Sequence, residues 1–369
     1  MVCFGLLLPV TWGAGCARTA ASAGCSNPCG AATSGPASPS APAAANNNPA
    51  LKGNYAFTFS GIKGNGTVSI SAAVGMFTAD GAGNLTSGKL DTNGVGTGAA
   101  LTAQAFTGTY TIGADNRGVM TWNLPGRAVQ FAVAMTTNGN ARFIEFDASA
   151  GSGTIGSGTI ESADTNAFST ASITGDYAFG VAGLDDSNNR AAIIGRFASD
   201  GTGTLTAAAG DLNAYGTPYT LSFTAASYTV SDTKTGRGTM NLAFTFGGTP
   251  ANLNFVFYIV NAKRLLAMER DTVTTATPLL NGVVVQQQTP SGGFTNASLN
   301  GNLVIYLTGL SNCGSGATGV PKAVAGLITA DGTGTLNLDF DENYCHAPRT
   351  VTGFSGTYGV ASSGRTTIA

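Results

Sequence analysis

One six-residue signature occurs three times in this chain and decides its fold. It reads Asp80-Gly81-Ala82-Gly83-Asn84-Leu85, and it returns as Asp200-Gly201-Thr202-Gly203-Thr204-Leu205 and as Asp331-Gly332-Thr333-Gly334-Thr335-Leu336. The three copies start at residues 80, 200 and 331, so the period is 120 residues and then 131. Because a period of this length is the size of a whole domain, it indicates a tandem array of domains rather than one large fold.

The Asp-Gly pair that opens each copy of the signature predicts a tight hairpin turn. The three pairs are Asp80-Gly81, Asp200-Gly201 and Asp331-Gly332. Glycine adopts positive φ at little cost and aspartate tolerates it, so the pair can reverse the chain between two strands. A calcium site is the competing interpretation, because that ion prefers oxygen ligands. The spacing matches neither an EF-hand loop nor the calcium-binding β-roll repeat, and the turn is therefore preferred.

The sequence around the signature predicts an all-β fold. Tyr55, Phe57 and Phe59 alternate with smaller or polar residues, and period two is typical of half-buried antiparallel strands. No stretch keeps an apolar period of 3.6 residues with helix caps. The first copy holds roughly eight strands in about 110 residues, which favours an antiparallel meander closed into a β-barrel of the lipocalin size class. Two-sheet β-sandwich domains are the alternative.

Domain organisation follows from the repeat. We divide the chain into a signal-like segment 1–25, a flexible Ala/Ser/Pro/Asn tether 26–50, β-domains 51–165 and 166–290, and an incomplete third β-domain 291–369. The sequence stops at Ala369, which aligns near Thr121 of the first copy. Because a barrel without its last strands would leave an open edge, we expect the natural gene to continue or a partner strand to complete this copy.

The N-terminal segment is typical of an exported protein. The apolar run from Phe4 to Val10 is too short to span a bilayer and is typical of the h-region of a secretory signal. The sequence Gly-Ala-Gly before Cys16 is similar to a bacterial lipobox, in which Cys16 would carry the lipid, although Gly13 stands where a Leu-like residue is usual. The alternative is ordinary signal-peptidase cleavage after Ala23. We expect localisation in the bacterial cell envelope, lipid-anchored or secreted, with membrane contact only through such an anchor.

Cysteine usage agrees with export. Four of the six cysteines lie before residue 30, and the other two, Cys313 and Cys345, lie in the third copy. In a meander these two fall in loops at the same end of the domain, which predicts a disulfide between them. A zinc site formed by Cys313, Cys345 and His346 is disfavoured, because the chain has a single histidine and no further strong ligand nearby.

The ionisable residues exclude several classes of function. His346 is the only histidine, so neither complete copy can hold a Ser-His-Asp triad or a multi-histidine metal centre. The repeat carries no phosphate-binding loop, and a net charge of −2 gives no basic footprint for nucleic acid. We therefore predict a protein without catalytic activity, cofactor or metal. Asp91, Glu145 and Asp147 remain as candidates for carboxylate-dependent hydrolysis of glycosides.

Two further sets of residues recur between the copies. Arg117 and Glu145 return as Arg237 and Glu269, which predicts an arginine–glutamate pair in each copy. Such a pair would be a salt bridge that fixes closure, or a polar anchor at the mouth of a ligand cavity. The recurring aromatic residues predict core packing, with the lining of an apolar ligand site as the alternative: Tyr55, Phe57, Phe77, Phe106 and Tyr110 in the first copy.

Three motifs together carry a resemblance to a known group of proteins. The combination of Leu-x-Gly-Asn-Tyr-x-Phe at 51–57, Gly-x-Phe-x-Ala-Asp-Gly at 75–81 and Phe-x-Gly-x-Tyr at 106–110 resembles repeats in uncharacterised exported, lipoprotein-like proteins of soil acidobacteria. The resemblance covers about residues 51–369. It implies export and a cell-envelope setting, and it supplies no catalytic residues.

The function expected from the sequence is display rather than catalysis. We expect a non-enzymatic, exported cell-envelope protein whose tandem β-domains serve binding or adhesion, because linked weak sites gain avidity. The ligand is unknown, with a glycan or an apolar small molecule as candidates. The alternatives are a structural spacer or self-associating envelope component and, less favoured, an outer-membrane barrel or a hydrolase. A hollow apolar barrel interior would favour binding, and a filled one would favour a spacer.

Overall fold

The computed structural model describes residues 46–63, 69–95, 100–147, 154–311 and 320–369. Antiparallel strands account for most of these residues, and neighbouring strands in space are mostly neighbours along the chain. They form two closed eight-stranded barrels and one five-stranded sheet. The predicted all-β fold, with two complete eight-stranded barrels and an incomplete third copy, is confirmed, and the sandwich alternative is wrong.

The first barrel contains strands β1 to β8. Their bounds are Lys52–Lys63 (β1), Ser69–Asp80 (β2), Asn84–Gly94 (β3), Gln104–Ile112 (β4), Arg117–Leu124 (β5), Arg127–Met135 (β6), Ala141–Glu145 (β7) and Thr154–Ser162 (β8). Each strand pairs with the next, and β8 closes the barrel by pairing with β1, where Tyr55 lies opposite Ser162. Closure gives every strand two hydrogen-bonded neighbours and so removes the free edges of the sheet.

The second barrel repeats this plan with strands β9 to β16. Their bounds are Thr174–Leu184 (β9), Arg190–Asp200 (β10), Leu205–Ala214 (β11), Thr217–Asp232 (β12), Arg237–Phe246 (β13), Thr249–Asn261 (β14), Arg264–Glu269 (β15) and Leu279–Gln286 (β16). Strand β16 closes the barrel on β9, where Tyr177 lies opposite Gln286. The two barrels belong to one compact unit, and residues 290–369 belong to another.

The third copy forms an open sheet of five strands. Their bounds are Asn300–Ser311 (β17), Val320–Asp331 (β18), Thr335–Tyr344 (β19), Ala347–Val360 (β20) and Thr366–Ile368 (β21). A small core of Ile328, Ala330, Leu336 and Tyr358 holds it together, while Val304 and Leu307 are exposed on opposite faces of β17. Short 3-10 helices occupy Asn48–Ala50, Thr137–Gly139, Thr165–Ala167, Thr170–Ser172 and Asn296–Ser298.

Aromatic rings fill the interior of the first barrel. The ring of Trp122 lies at its centre, with ring centroids 4.5 Å from Phe57 and 4.4 Å from Phe131. Phe106 and Phe143 pack around the same indole, at 5.2 and 5.7 Å. All five rings are buried, and aromatic contacts of this kind add to the free energy gained from burying their apolar surface. The predicted aromatic core is therefore present as packed side chains.

One glycine on β2 makes room for this core. Gly75 lies opposite Phe57, and a Cβ added at Gly75 would come within 2.5 Å of both the Phe57 ring and the backbone oxygen of Lys89. The second barrel repeats the arrangement, with the ring of Phe179 over Gly195. A cross-strand aromatic residue that covers a glycine fixes the register of the two strands. The recurring Gly-x-Phe motif thus has a packing role in both barrels.

The signature forms the turn between the second and third strands of each copy. Asp80 is the last residue of β2, and its Oδ1 accepts hydrogen bonds from the backbone N–H groups of Ala82, Gly83 and Asn84 at 2.7 to 3.0 Å. The aspartate therefore contributes a hydrogen-bond acceptor, and the positive φ falls on the glycine that follows. That φ is 80° at Gly81, and its counterparts Gly201 and Gly332 have 78° and 76°.

Candidate functional site

The two barrels contact each other through the outer sides of their sheets. We call the outer side of β1–β3 the front face of barrel 1, with Ala56, Val74, Met76, Asp91 and Asn93. It packs against what we call the back face of barrel 2, the outer side of β13–β15, with Arg237, Val256, Tyr258, Leu266 and Met268. The apolar members of both faces are almost completely buried. They belong to the same hydrophobic cluster as the interior of barrel 2.

The sequence of the back face shows why it is buried on both sides. Strand β14 contains the uninterrupted apolar run from Phe255 to Val260, and all six residues are buried. Successive side chains of a strand point to opposite sides, so a strand with one solvated side alternates between apolar and polar residues. A continuous run instead predicts burial on both sides. This run was the signal for the contact, and the sequence analysis did not use it.

A polar stripe on β3 borders the apolar part of the contact. Lys89, Asp91 and Asn93 are spaced by two residues, so all three side chains lie on the outer side of the barrel. Each of them binds barrel 2: Lys89 pairs with Asp232, Asp91 pairs with Arg237, and Asn93 Nδ2 donates to the backbone oxygen of Asp271 at 2.8 Å. An apolar centre with a polar border is the usual anatomy of a specific protein interface.

The ion pair between Asp91 and Arg237 is the most buried of the ion pairs described between the barrels. The guanidinium donates from Nη2 to Asp91 Oδ1 at 2.7 Å and from Nε to Oδ2 at 2.8 Å, and the Tyr258 hydroxyl donates to Oδ2 at 2.8 Å. The side chains of Asp91 and Arg237 are only 5% and 9% exposed. The Ala103 backbone N–H also donates to Oδ1, at 3.1 Å. Because the carboxylate accepts four hydrogen bonds, the burial of both charges is compensated within the site.

The pKa shifts of Arg237 and Tyr258 keep each of these side chains in one protonation state at neutral pH. Hydrogen bonding to Asp91 raises the pKa of Arg237, so the guanidinium stays charged. Burial raises the pKa of Tyr258 well above its usual value, and the neighbouring Asp91 charge adds to the shift. Tyr258 is therefore a neutral hydrogen-bond donor, as the geometry requires. Both shifts favour the hydrogen-bonded arrangement, and we call the Asp91–Arg237 ion pair together with Tyr258 the latch between the barrels.

A second ion pair lies at the other border of the contact. Arg264 on β15 donates from Nη2 to Glu161 Oε1 at 2.9 Å and from Nε to Oε2 at 2.5 Å. Glu161 is on β8 of barrel 1, so this bidentate pair also joins the two barrels. Asn281 adds a weaker link by donating to Ser60 Oγ at 3.2 Å. Charged pairs thus fix the contact at both borders, which specifies the relative orientation of the barrels.

The predicted pair of Arg237 and Glu269 does not form, because the two residues lie on opposite sides of the sheet. Arg237 lies opposite Tyr258 on the outer side of barrel 2, whereas Glu269 lies opposite Phe255 on the inner side. These two residues therefore do not pair, and the partner of Arg237 is Asp91 of the other barrel.

The first copy shows the same division between the two sides of its sheet. Arg117 binds Asp115, with Nε 2.8 Å from Oδ2, and lies opposite Ala134 on the outer side. Glu145 lies opposite the inward-facing Phe131. Alternation along each strand separates the recurring residues, so recurrence in the sequence was not a sign of contact.

Glu269 is an unusual carboxyl group inside barrel 2. It is completely buried, and burial raises its pKa to about 9. Its Oε1 accepts a hydrogen bond from the Asp271 backbone N–H at 2.6 Å, while its Oε2 has no hydrogen-bond partner in the described structure. The group is therefore protonated at neutral pH, because the interior cannot solvate its charge.

The remaining predicted site residues fall into two groups. Cys16 and Cys313 lie outside the described residues, so lipidation at Cys16 and the Cys313–Cys345 disulfide stay predictions. Asp80, Asp200 and Asp331 lie at the turns, where hydrogen bonds from neighbouring side chains and backbone N–H groups lower their pKa, to about 2 for Asp80. Among the described residues, no three His, Cys, Asp or Glu side chains lie close enough together to hold a metal ion.

Two grooves lie on the outer surfaces of the barrels. The larger, of about 340 Å³, lies on barrel 1 and is lined by side chains that include Arg117, Ala132, Ala134, Arg142 and Ile144. The other, of about 230 Å³, lies on barrel 2 and includes Thr229, Thr239, Asn241, Asn254 and Arg270. In the part of the chain that the structure describes, no helix is both long and apolar enough to cross a membrane.

Comparisons with known proteins leave the function open. No family model matches the chain, and no curated protein matches it. A search of solved structures finds a protein of unknown function from the DUF3598 family of Nostoc punctiforme, with 9% identity over 64% of this chain and 97% of that one. Its TM-score is 0.16, and a likeness of this degree carries no argument. The barrel architecture rests on the strand pairing of this chain alone.

Proposed function

We propose that residues 46–289 act as a rigid two-barrel spacer within an exported, non-enzymatic protein of the cell envelope. The observation that carries this proposal is the buried Asp91–Arg237 pair, which joins the barrels at a contact with an apolar centre. Domains that are merely linked move relative to each other unless their interface is large and hydrophobic. A contact with a buried ion pair and an apolar centre would hold the two barrels at a fixed distance and orientation, which supports a role as a spacer.

The state of the barrel interiors also supports a spacer. Rings such as Trp122, Phe131 and Phe143 occupy the interior of barrel 1 at packing distances. Ligand-binding barrels of this size instead keep room for a small molecule. The two grooves described above lie on outer surfaces, where they are accessible to other molecules.

Export and envelope attachment are part of the proposal and rest on the sequence. The signal-like segment 1–25, the lipobox-like sequence at Cys16 and the resemblance to exported acidobacterial repeats support them. A disulfide between Cys313 and Cys345 would suit an oxidising compartment. Peptide mapping without reduction should recover both cysteines in one cross-linked fragment, and mass spectrometry of the membrane fraction should find a lipid on Cys16.

The rigidity of the two-barrel unit can be measured directly. Residues 46–289 contain no cysteine, so spin labels can be placed at Thr109→Cys on barrel 1 and Thr224→Cys on barrel 2, both exposed. We expect double electron–electron resonance to give one narrow distance distribution, because the latch fixes the barrels. The same labels in an Asp91→Ala background should give a broad one. A broad distribution in the parent protein would contradict the spacer.

A second candidate function is binding at the groove of barrel 2. Asn241 and Asn254 line it with amide groups, and Arg270 adds a cation, which suits a polar ligand such as a glycan. Asn254 is held in place because its Nδ2 donates to Asp271 Oδ1 at 2.9 Å. A glycan array should then show binding that Asn241→Ala removes, with Ser222→Ala, an exposed position outside the groove, as control. An array without binding would leave the spacer as the function.

A further inference from the structure

The front face of barrel 1 has an equivalent on barrel 2. In barrel 1, Ala56 lies opposite Met76 and Val74 lies opposite Asp91. The register of barrel 2 repeats this arrangement, with Ala178 opposite Arg196 and Ile194 opposite Asp211. The front face of barrel 2 therefore consists of Ala178, Ile194, Arg196, Asp211 and Asn213.

The back face of barrel 2 likewise has an equivalent on barrel 1. In barrel 2, Arg237 lies opposite Tyr258, which lies opposite Leu266, and Val256 lies opposite Met268. In barrel 1, Arg117 lies opposite Ala134, which lies opposite Arg142, and Ala132 lies opposite Ile144. The back face of barrel 1 therefore consists of Arg117, Ala132, Ala134, Arg142 and Ile144. These five residues line the groove of about 340 Å³.

Both equivalent faces expose apolar side chains at positions that the internal contact buries. Ile194 is 59% exposed, whereas its counterpart Val74 is fully buried. Ile144 is 47% exposed, whereas its counterpart Met268 is fully buried. A single exposed apolar residue does not mark a binding surface, and these two are informative because their counterparts are buried in a contact between barrels. Each barrel thus carries one face that is covered by the other barrel and one that is not.

We propose that the front face of barrel 2 binds the back face of barrel 1 in a second copy of this chain, so that molecules associate head to tail. The new contact would repeat the one already present between the barrels. Arg117 stands in the position of Arg237, and Asp211 stands in the position of Asp91, so the same kind of ion pair can form between the two molecules. Asn213 keeps the position of Asn93 at the border.

Steric fit supports the same partner. On the back face, Ala132 and Ala134 replace the larger Val256 and Tyr258, which creates the groove. On the front face, Ile194 replaces the smaller Val74, and its side chain adds volume where the groove offers space. Arg196 takes the place of Met76, and its charge is already compensated by Asp176, whose Oδ1 is 2.6 Å from Nη2. The change in shape is therefore complementary between the two faces, whereas both gain an arginine, Arg196 in place of Met76 and Arg142 in place of Leu266.

The repeated contact is weaker than the internal one for identifiable reasons. Ala209 stands in the position of Lys89, so the pair with Asp232 has no equivalent, and Ala134 supplies no hydroxyl in place of Tyr258. Arg117 also exchanges its exposed partner Asp115 for Asp211, which itself accepts a hydrogen bond from Thr220. Association is therefore reversible and concentration-dependent. Because the two surfaces differ, association is head to tail, and it gives a ring or an open row according to the rotation between neighbouring molecules.

The test uses sedimentation velocity of the full chain over a wide concentration range. We expect the wild type to show a sedimentation coefficient that rises with concentration. Arg117→Asp and Asp211→Arg should each remain monomeric, because each places like charges where the ion pair would form. An equimolar mixture of the two variants should associate again, since the reversed pair forms between them. Higher salt should weaken association of the wild type.

Controls separate this contact from folding effects and from other surfaces. Arg127→Asp makes the same charge change on an exposed residue of barrel 1 outside the groove, and it should associate like the wild type. Unfolding curves of all variants should lie close together at low concentration, because Arg117 and Arg127 are exposed and Asp211 is only half-buried. A wild type that is monomeric at every concentration would overturn the proposal. So would association that neither substitution reduces, or a mixture that fails to recover it.

Discussion

Asp91 is the residue on which the contact between the barrels depends most. Its carboxylate accepts hydrogen bonds from Arg237 and Tyr258 in a site that is almost closed to water. In Asp91→Ala, Arg237 would keep a buried charge without a carboxylate partner, so we expect the free energy of unfolding to fall by about 3–5 kcal/mol. Urea denaturation of residues 46–289 measures this loss.

The same measurement has a matched control in the other barrel. Asp211 is the counterpart of Asp91 on an outer surface that barrel 1 does not cover, and at low protein concentration Asp211→Ala should change stability by less than about 0.5 kcal/mol. The double variant Asp91→Ala, Arg237→Ala should lose less than the sum of the single losses, because no charge is then left unpaired. Strictly additive losses would argue against the latch.

Glu269 makes the stability of barrel 2 depend on pH. Its pKa is raised from 4.5 to about 9 in the folded state, so between these values the folded state holds a proton that the unfolded state has released. Stability therefore falls as pH rises through this window, by at most about 1.4 kcal/mol per pH unit from this group. In Glu269→Gln, which keeps the shape without the acid, this dependence should disappear.

Thermal unfolding at a series of pH values checks the effect of Glu269→Gln. The gain in melting temperature over the wild type should be small near pH 4.5 and should grow toward pH 9. Asp186→Asn, which removes an exposed carboxylate, should follow the wild type throughout. A constant difference at all pH values would show that the substitution acts through packing instead of through the proton.

The burial of individual residues could be predicted from the sequence, whereas their partners in the contact between the barrels could not. The burial of Tyr55 and Phe57 followed from local alternation, because period two alone assigns a side chain to one side of a strand. The partner of Arg237 did not follow, because Asp91 is 146 residues away and belongs to another domain. Recurrence suggested Glu269 instead, and only the register of β13 to β15 excludes it.

At the scale of elements, strands were easier to predict than the surfaces between them. The eight-strand meander could be counted from the sequence, because hairpins are local and each turn carries its own signal. The apolar run on β14 predicts that both sides of the strand are buried, but it does not identify the surface that covers the outer side. On β3, Lys89, Asp91 and Asn93 have the pattern of a solvated side, since polar residues at alternate positions usually face water. In the structure these three side chains instead bind barrel 2, and a local pattern cannot reveal such a partner.

The pairing of β1 with β2 allows a prediction at this scale. Gly75→Ala should destabilise barrel 1 by about 1–3 kcal/mol, because the added methyl group would overlap both the Phe57 ring and the Lys89 backbone oxygen. Gly180→Ala on β9 is the control, since a Cβ at that position meets nothing within 4 Å and should be tolerated. Chemical denaturation measures both. Equal effects would contradict the role assigned to Gly75.

At the scale of the molecule, the latch joins two barrels into one cooperative unit. Each barrel is closed and has its own interior, yet the front face of barrel 1 shares a hydrophobic cluster with barrel 2. Unfolding one barrel would therefore expose apolar surface on the other. We expect residues 46–289 to unfold in a single calorimetric transition.

Loss of the ion pairs at both borders of the contact should allow the two barrels to unfold separately. In the double variant Asp91→Ala, Arg264→Ala, both borders of the contact lose an ion pair, and two calorimetric transitions should replace one. Wild-type protein that already shows two transitions would contradict coupling between the barrels. The disagreement between van't Hoff and calorimetric enthalpies provides a second criterion in the same experiment.

The position of the signature within each copy affects how repeats can be gained or lost during evolution. The repeated turn lies between the second and third strands, and the Asp-x-Asn of the front face follows it in both barrels, as Asp91 and Asn93 and as Asp211 and Asn213. Genetic recombination tends to occur where repeats are most alike. An exchange at the signature would join β1–β2 of one copy to the third strand of another and would still deliver an aspartate to meet an arginine of the next barrel. Barrels could be gained or lost from the gene while the join between neighbours kept its chemistry.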